Sequence, residues 1–131
     1  MKILFIDDHP EFLREMADQL EDHGHHVKRC ERADDAVREL DKVDEYDIVV
    51  LDIMMRLGTL IDTDEATETG IAIYKRLRQV APNLPVLVLS ALSKDHFWQQ
   101  SSFANDSHAT YFGKPLKAED KIYLLVEGAL K

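Results

Sequence analysis

Only one cysteine, Cys30, is present, so no internal disulfide can form. Glycine and proline are sparse, five and four in 131 residues, which excludes collagen-like and low-complexity chains. With 45% hydrophobic and 31% charged residues, wholesale disorder is excluded as well. Cations are in deficit: 16 Lys and Arg against 25 Asp and Glu leave a formal net charge of −9. Such a surface repels phosphate backbones and anionic lipid, so direct binding to nucleic acid or membrane is not expected. No apolar run approaches the roughly twenty residues that cross a bilayer. The first run, Met1 to Ile6, meets Asp7 before a secretory apolar region develops, and together with the lone cysteine this points to the cytoplasm. No Ser/Gly linker, repeat or compositional break divides the chain, whose length suits one domain burying roughly two-thirds of its unfolded surface.

Four stretches, 3–6, 48–51, 86–89 and more weakly 109–112, are apolar without alternation. That pattern belongs to parallel strands covered on both faces. Between them apolar residues recur at helical spacing: Phe12, Met16 and Leu20; Ala33, Ala36, Val37 and Leu40; Ile73, Leu77 and Val80; Ile122, Leu125, Val126 and Ala129. A short strand at 27–30 follows Gly24, which is placed to end the first helix in a left-handed cap, while Pro10 suits that helix's first turn. Residues 94–104 carry a weaker helical stripe. Five strands alternating with helices define a doubly wound α/β, three-layer sandwich.

In such a sheet the ligand crevice lies beyond the carboxyl ends of the strands. Asp7 and Asp8 follow the first strand, Asp52 the third, Ser90 the fourth and Lys114 the fifth, with Pro115 after it. Taken singly, each has a plain structural explanation: Asp8 as a helix cap, Asp52 as a turn former, Ser90 as a buried hydroxyl, Lys114 as a solvated side chain. Their convergence at one sheet end is far more specific. Clustered carboxylates either take up protons or hold a cation, and oxygen donors of this kind suit Mg2+.

The segments Phe5-Ile6-Asp7-Asp8-His9-Pro10, Val50-Leu51-Asp52-Ile53-Met54-Met55, Ser90-Ala91 and Tyr111-Phe112-Gly113-Lys114-Pro115 together resemble the receiver domains of two-component response regulators, over essentially the whole chain. The resemblance implies a flavodoxin-like (βα)5 fold with strand order 2-1-3-4-5, one of the common orders of the doubly wound class. It implies Asp52 as phosphoacceptor, taking a phosphoryl group from a sensor histidine kinase or a histidine phosphotransfer protein. It also implies Asp8, Asp52 and the backbone carbonyl of Met54 as Mg2+ ligands, with Asp7 acting through metal-bound water. Lys114 would pair with Asp52 and then with the phosphoryl group, and a cis Lys114–Pro115 bond is expected. Ser90 and Tyr111 would act as a switch, presenting the surface of 94–104, 109–112 and 118–130 to an output protein. The chain would catalyse only its own phosphorylation and dephosphorylation. It would be a single domain over 1–131, either stand-alone or cut from a longer regulator.

The sequence departs from the family in several places. Gly70, expected to open the third helix, follows Asp52 by 18 positions, about ten more than is usual. The insertion, at about 56–69, carries Asp62, Asp64, Glu65 and Glu68, with Arg56 where proline is common. An EF-hand is excluded because Ala66 follows Asp62 and Asp64 where a third oxygen ligand is needed. Leu60 and Ile61 are expected to pack onto the domain or a partner, placing the acidic part near the crevice mouth, where it would slow anionic donors. The resemblance implies that the side chains two positions beyond the phosphoacceptor and the switch residue border the path of hydrolytic water; here they are Met54 and Leu92, which can neither orient nor activate it, so a long-lived aspartyl phosphate is expected. Ser107-His108 replaces the small pair often found before the fifth strand. His23, His25 and His26 read as a surface turn rather than a metal cluster, and His9 as the residue leading into the first helix.

Two other functions fit a sheet of this kind. A Mg2+-dependent phosphatase with an aspartyl nucleophile would place nucleophile and second acid two residues apart after the first strand, whereas Asp7 and Asp8 are adjacent and Asp52 follows the third. A phosphorylation-independent interaction module would keep the fold and bind through the long loop. Nucleotide binding is disfavoured by the acidic Asp7-Asp8-His9-Pro10 where a phosphate-cradling loop would be needed.

Overall fold

The computed structural model describes residues 1–53, 66–91 and 106–130. Five parallel strands, β1 (Lys2–Ile6), β2 (His26–Cys30), β3 (Ile48–Leu51), β4 (Val86–Ser90) and β5 (Ala109–Gly113), form one sheet in the order β2-β1-β3-β4-β5. The helices are α1 (Pro10–Asp22), α2 (Ala33–Glu39) followed by a 3-10 turn (Leu40–Glu45), α3 (Ala66–Val80) and α4 (Ile122–Ala129). The doubly wound α/β fold expected from the sequence is therefore the fold adopted.

Successive strand residues point to opposite faces, and both faces are covered. On one side Leu4, Ile6, Val49, Leu51, Val86 and Val88 pack with Ala33 and Ala36 of α2 and Ile73, Tyr74 and Leu77 of α3. On the other, Ile3, Phe5, Ile48, Val50, Leu87 and Leu89 pack with Leu13, Met16 and Leu20 of α1 and Ile122 and Val126 of α4. The edge strands β2 and β5 are only partly covered, which explains their weaker apolar signal.

Gly24 adopts φ +88° and closes α1 in a Schellman motif: its N–H donates to the Glu21 carbonyl at 2.9 Å and that of His25 to Leu20 at 3.2 Å. Gly70 meets a different demand. A Cβ there would collide with the backbone of Ile53, so glycine lets α3 lie directly on the residue that follows Asp52.

Three expectations are corrected, and one structural alternative is removed. The third helix starts at Ala66, not Gly70, so the end of the stretch read as an inserted loop is helical. The last helix starts at Ile122 rather than near 118. Residues 117–120 instead close a turn, in which the Asp120 side chain accepts the Lys117 N–H at 3.0 Å and the Lys117 carbonyl accepts the Asp120 N–H at 3.0 Å. Val80, read as part of the core stripe, is 55% exposed at the last residue of α3, beside Val37 and Leu40 in a surface groove. Asp8 does not cap α1: the N-cap is His9, whose side chain makes no capping bond. Met54, the stretch from Arg56 to Glu65, Leu92 and the expected helix at 94–104 lie outside the described residues.

Arg78, which no sequence pattern marks, ties three segments together. Its guanidinium donates to Asp106 Oδ2 at 2.6 Å and to the carbonyls of Ala81 and Leu84 at 3.0 and 2.7 Å, and burial lowers its pKa. Asp106 in turn accepts the His108 N–H at 2.9 Å, holding the unusual Ser107-His108 pair in the turn before β5.

Candidate functional site

The strand ends are held in register by backbone bonds that continue the sheet: Asp7 N–H to Cys30, Asp52 N–H to Ile6 and Lys114 N–H to Ser90, at 3.0, 2.9 and 2.9 Å. Asp7, Asp8, Asp52 and Ser90 are brought to one end of the sheet and are all buried, at 0, 8, 2 and 0% exposure. Carboxylates at such depth require compensating charge. Lys114 supplies part of it: its ammonium donates to Asp7 Oδ2 at 2.6 Å and lies 3.6 Å from Asp52 Oδ2. The sequence reading paired Lys114 with Asp52; the tighter contact is with Asp7. The Lys114–Pro115 peptide is cis, as expected.

One ammonium does not balance three buried carboxylates, and the donor set is rich in oxygen. Those properties fit a small, hard divalent cation such as Mg2+. The ligand atoms of Asp7, Asp8, His9 and Asp52 all lie within 4.8 Å of one another. Asp7 is tied to both sides of the site, since its Oδ1 also accepts the His9 backbone N–H at 2.9 Å.

Ser90 ends β4, next to Gly113 of β5. Tyr111, half-buried two residues earlier on β5, donates its hydroxyl to the Ser90 carbonyl at 3.3 Å, and burial pushes its pKa upward, so the phenol remains a proton donor. Ser90 and Tyr111 thus lie on two adjacent strands, and Lys114 directly follows the second.

Two residues have contacts at the site that their sequence patterns do not show. Phe12, assigned to the apolar stripe of α1, places its ring beneath the Lys114 ammonium, 4.2 Å from nitrogen to centroid. His9 turns Nδ1 toward the acids, 3.1 Å from Asp7 Oδ1 and 3.3 Å from Asp8 Oδ1. Adjacency to the acidic pair was the available signal for His9; nothing in the spacing of Phe12 separates it from a core residue. The other histidines have separate roles. His23 stacks on Tyr123, with 3.7 Å between centroids, and His25 Nδ1 lies 3.3 Å from the amino terminus. Burial, and secondarily that terminal ammonium, lowers the His25 pKa.

Residues 3–125 match the response regulator receiver domain family, and the chain belongs to it. Receiver domains are signalling domains rather than metabolic enzymes, working in phosphorylation-dependent two-component systems and generally binding Mg2+ at an acidic pocket. Among curated proteins, the chain is similar to Protein PilH of Pseudomonas aeruginosa, 26% identical over 125 residues, covering 90% of this chain and 88% of PilH. Among solved structures it is similar to the receiver domain of NtrX from Brucella abortus, with 27% identity, a TM-score of 0.74, and coverage of 98% of this chain and 97% of that one. A two-component response regulator from Clostridium difficile has the same fold, with a TM-score of 0.76 at 22% identity, covering 99% of this chain and 95% of that one. Among the described residues, no helix is long and apolar enough to cross a membrane.

Proposed function

We propose that Asp52 receives a phosphoryl group from the phosphohistidine of a sensor histidine kinase or a histidine phosphotransfer protein. The modification then switches a protein-binding surface through Ser90 and Tyr111. The observation that carries this reading is the approach of the Lys114 ammonium to within 3.6 Å of Asp52 Oδ2, inside a group of three buried acids.

In the transfer, a carboxylate oxygen of Asp52 bonds to phosphorus while the donor's P–N bond breaks, and the electron pair leaves on the imidazole nitrogen. Asp8, Asp52 and the Met54 carbonyl would hold Mg2+, with Asp7 acting through bound water; the ion would supply charge neutralisation between the carboxylates and the incoming phosphoryl oxygens. Lys114 moves from Asp7 toward a phosphoryl oxygen, a short shift for a compact ammonium on a flexible stem. Ser90 donates its hydroxyl to another phosphoryl oxygen. That movement disturbs the β4 end to which Tyr111 is bonded, and so alters the β5 and α4 side offered to an output protein. The domain spans 1–131, with the insertion at about 56–69, and acts in the cytoplasm without direct contact with nucleic acid or membrane. The net charge of −9 favours a partner with a cationic face.

Intact mass after incubation with Mg2+ and a small acyl phosphate tests the reading. The wild-type chain gains one phosphoryl group and Asp52→Asn gains none. Equal labelling of the variant places the acceptor elsewhere, and an unlabelled wild type leaves a phosphorylation-independent interaction module.

A further inference from the structure

His9 stands where an ordinary lead-in residue to α1 would be, yet its ring is directed into the acidic site. Nδ1 lies 3.1, 3.3 and 3.7 Å from carboxylate oxygens of Asp7, Asp8 and Asp52. Its backbone is fixed from both sides, by the N–H bond to Asp7 Oδ1 at 2.9 Å and by Pro10, which opens α1. The side chain is 64% exposed, so it reaches over the rim of the site from the solvent side.

A small divalent ion with bonds of about 2.1 Å separates opposite ligands by about 4.2 Å. The four ligand atoms of this group fall within 4.8 Å of one another, so His9 Nδ1 lies close enough to share one ion with Asp8 and Asp52 while Asp7 acts through bound water. Three of them are carboxylate oxygens and the fourth is an imidazole nitrogen, which alters the ion the group should prefer. Magnesium takes oxygen and retains water, whereas imidazole suits the later first-row ions.

We propose that His9 supplies a nitrogen ligand to the divalent-cation site, so that this receiver takes an ion such as Co2+ more strongly, relative to Mg2+, than its carboxylates alone would. The inference rests on the reading above that these carboxylates hold a divalent ion. In the complex the ring proton resides on Nε2, facing solvent, and Nδ1 exchanges its contact with Asp7 for one with the metal.

The test uses the full chain, His9→Ala and Asp52→Ala, titrated calorimetrically with Co2+ and, separately, with Mg2+. Proton NMR of the Co2+ complexes provides a second readout, because a coordinated imidazole shows a strongly shifted, exchangeable ring N–H signal. The expected result is a fall of about tenfold in Co2+ affinity for His9→Ala, with Mg2+ affinity changed by less than about twofold. The shifted signal is present in the wild type and absent from His9→Ala. Equal losses for the two ions, a gain in affinity on removing His9, or a shifted signal that persists in His9→Ala would overturn the proposal. Failure of the underlying reading is distinct: the wild type binds neither ion, or Asp52→Ala binds both as the wild type does.

Discussion

The Lys114 ammonium sits 2.6 Å from Asp7 Oδ2 and 3.6 Å from Asp52 Oδ2, so the lysine's short bond is to the acid beside the proposed nucleophile. Phe12 lies beneath it, and Lys114 keeps only 12% of its side chain exposed. A point charge can slide from one carboxylate to a phosphoryl oxygen within that space, whereas a planar guanidinium is wider and directional. Lys114→Arg should lower the initial rate of phosphorylation by acetyl phosphate by about tenfold or more, followed by intact mass. A rate equal to the wild type would show that a cation of either shape suffices.

Asp7 bonds the Lys114 ammonium and the His9 backbone, which suits it to act on a cation through bound water, with Asp8 in direct contact as proposed above. Asp8→Ala should weaken Mg2+ binding by about tenfold or more, and Asp7→Ala by less, in calorimetric titration. The reverse order would exchange the roles of the two acids.

Gly70→Ala sets two effects against each other. Alanine inside a helix gains about 1 kcal/mol over glycine, but here its Cβ would enter the backbone of Ile53, which cannot yield as a flexible side chain could. Overpacking of this kind costs about 1–3 kcal/mol, so net destabilisation is expected, read as a lower urea midpoint. A higher midpoint would mean that α3 moves away from Ile53 without penalty.

Cys30 is buried, and desolvation pushes its pKa from 9.0 up to about 12. The native thiol should therefore react with a disulfide reagent at pH 8 far more slowly than the urea-unfolded chain does. The linked effect on stability has a definite sign. Unfolding lowers this pKa, so above about pH 9 the unfolded state gives up a proton that the folded state keeps, and stability falls as pH rises toward 12. Cys30→Ala should lose less stability than the wild type between pH 8 and pH 10.

The sheet is legible in the local sequence, because strands buried on both faces must be continuously apolar, as 48–51 and 86–89 are. The local sequence also shows which polar residues end those strands, since each follows directly on an apolar run. Gly24 marked the end of α1 because few residues other than glycine accept its backbone. The tertiary structure decided what no local pattern carries. Whether Lys114 lies nearer Asp7 or Asp52 depends on distances between strands separated by most of the chain. Phe12 and Val80 both fit a core stripe, yet Phe12 packs on the core and also carries an ammonium over its ring while Val80 is exposed, because helical spacing gives a face and not what that face meets. His9 was legible as a neighbour of the acids, but only its backbone bond to Asp7 turns that proximity into a ring aimed at them. Partners near in sequence leave a pattern, while those brought together by folding are set by packing, and this site is mostly of the second kind.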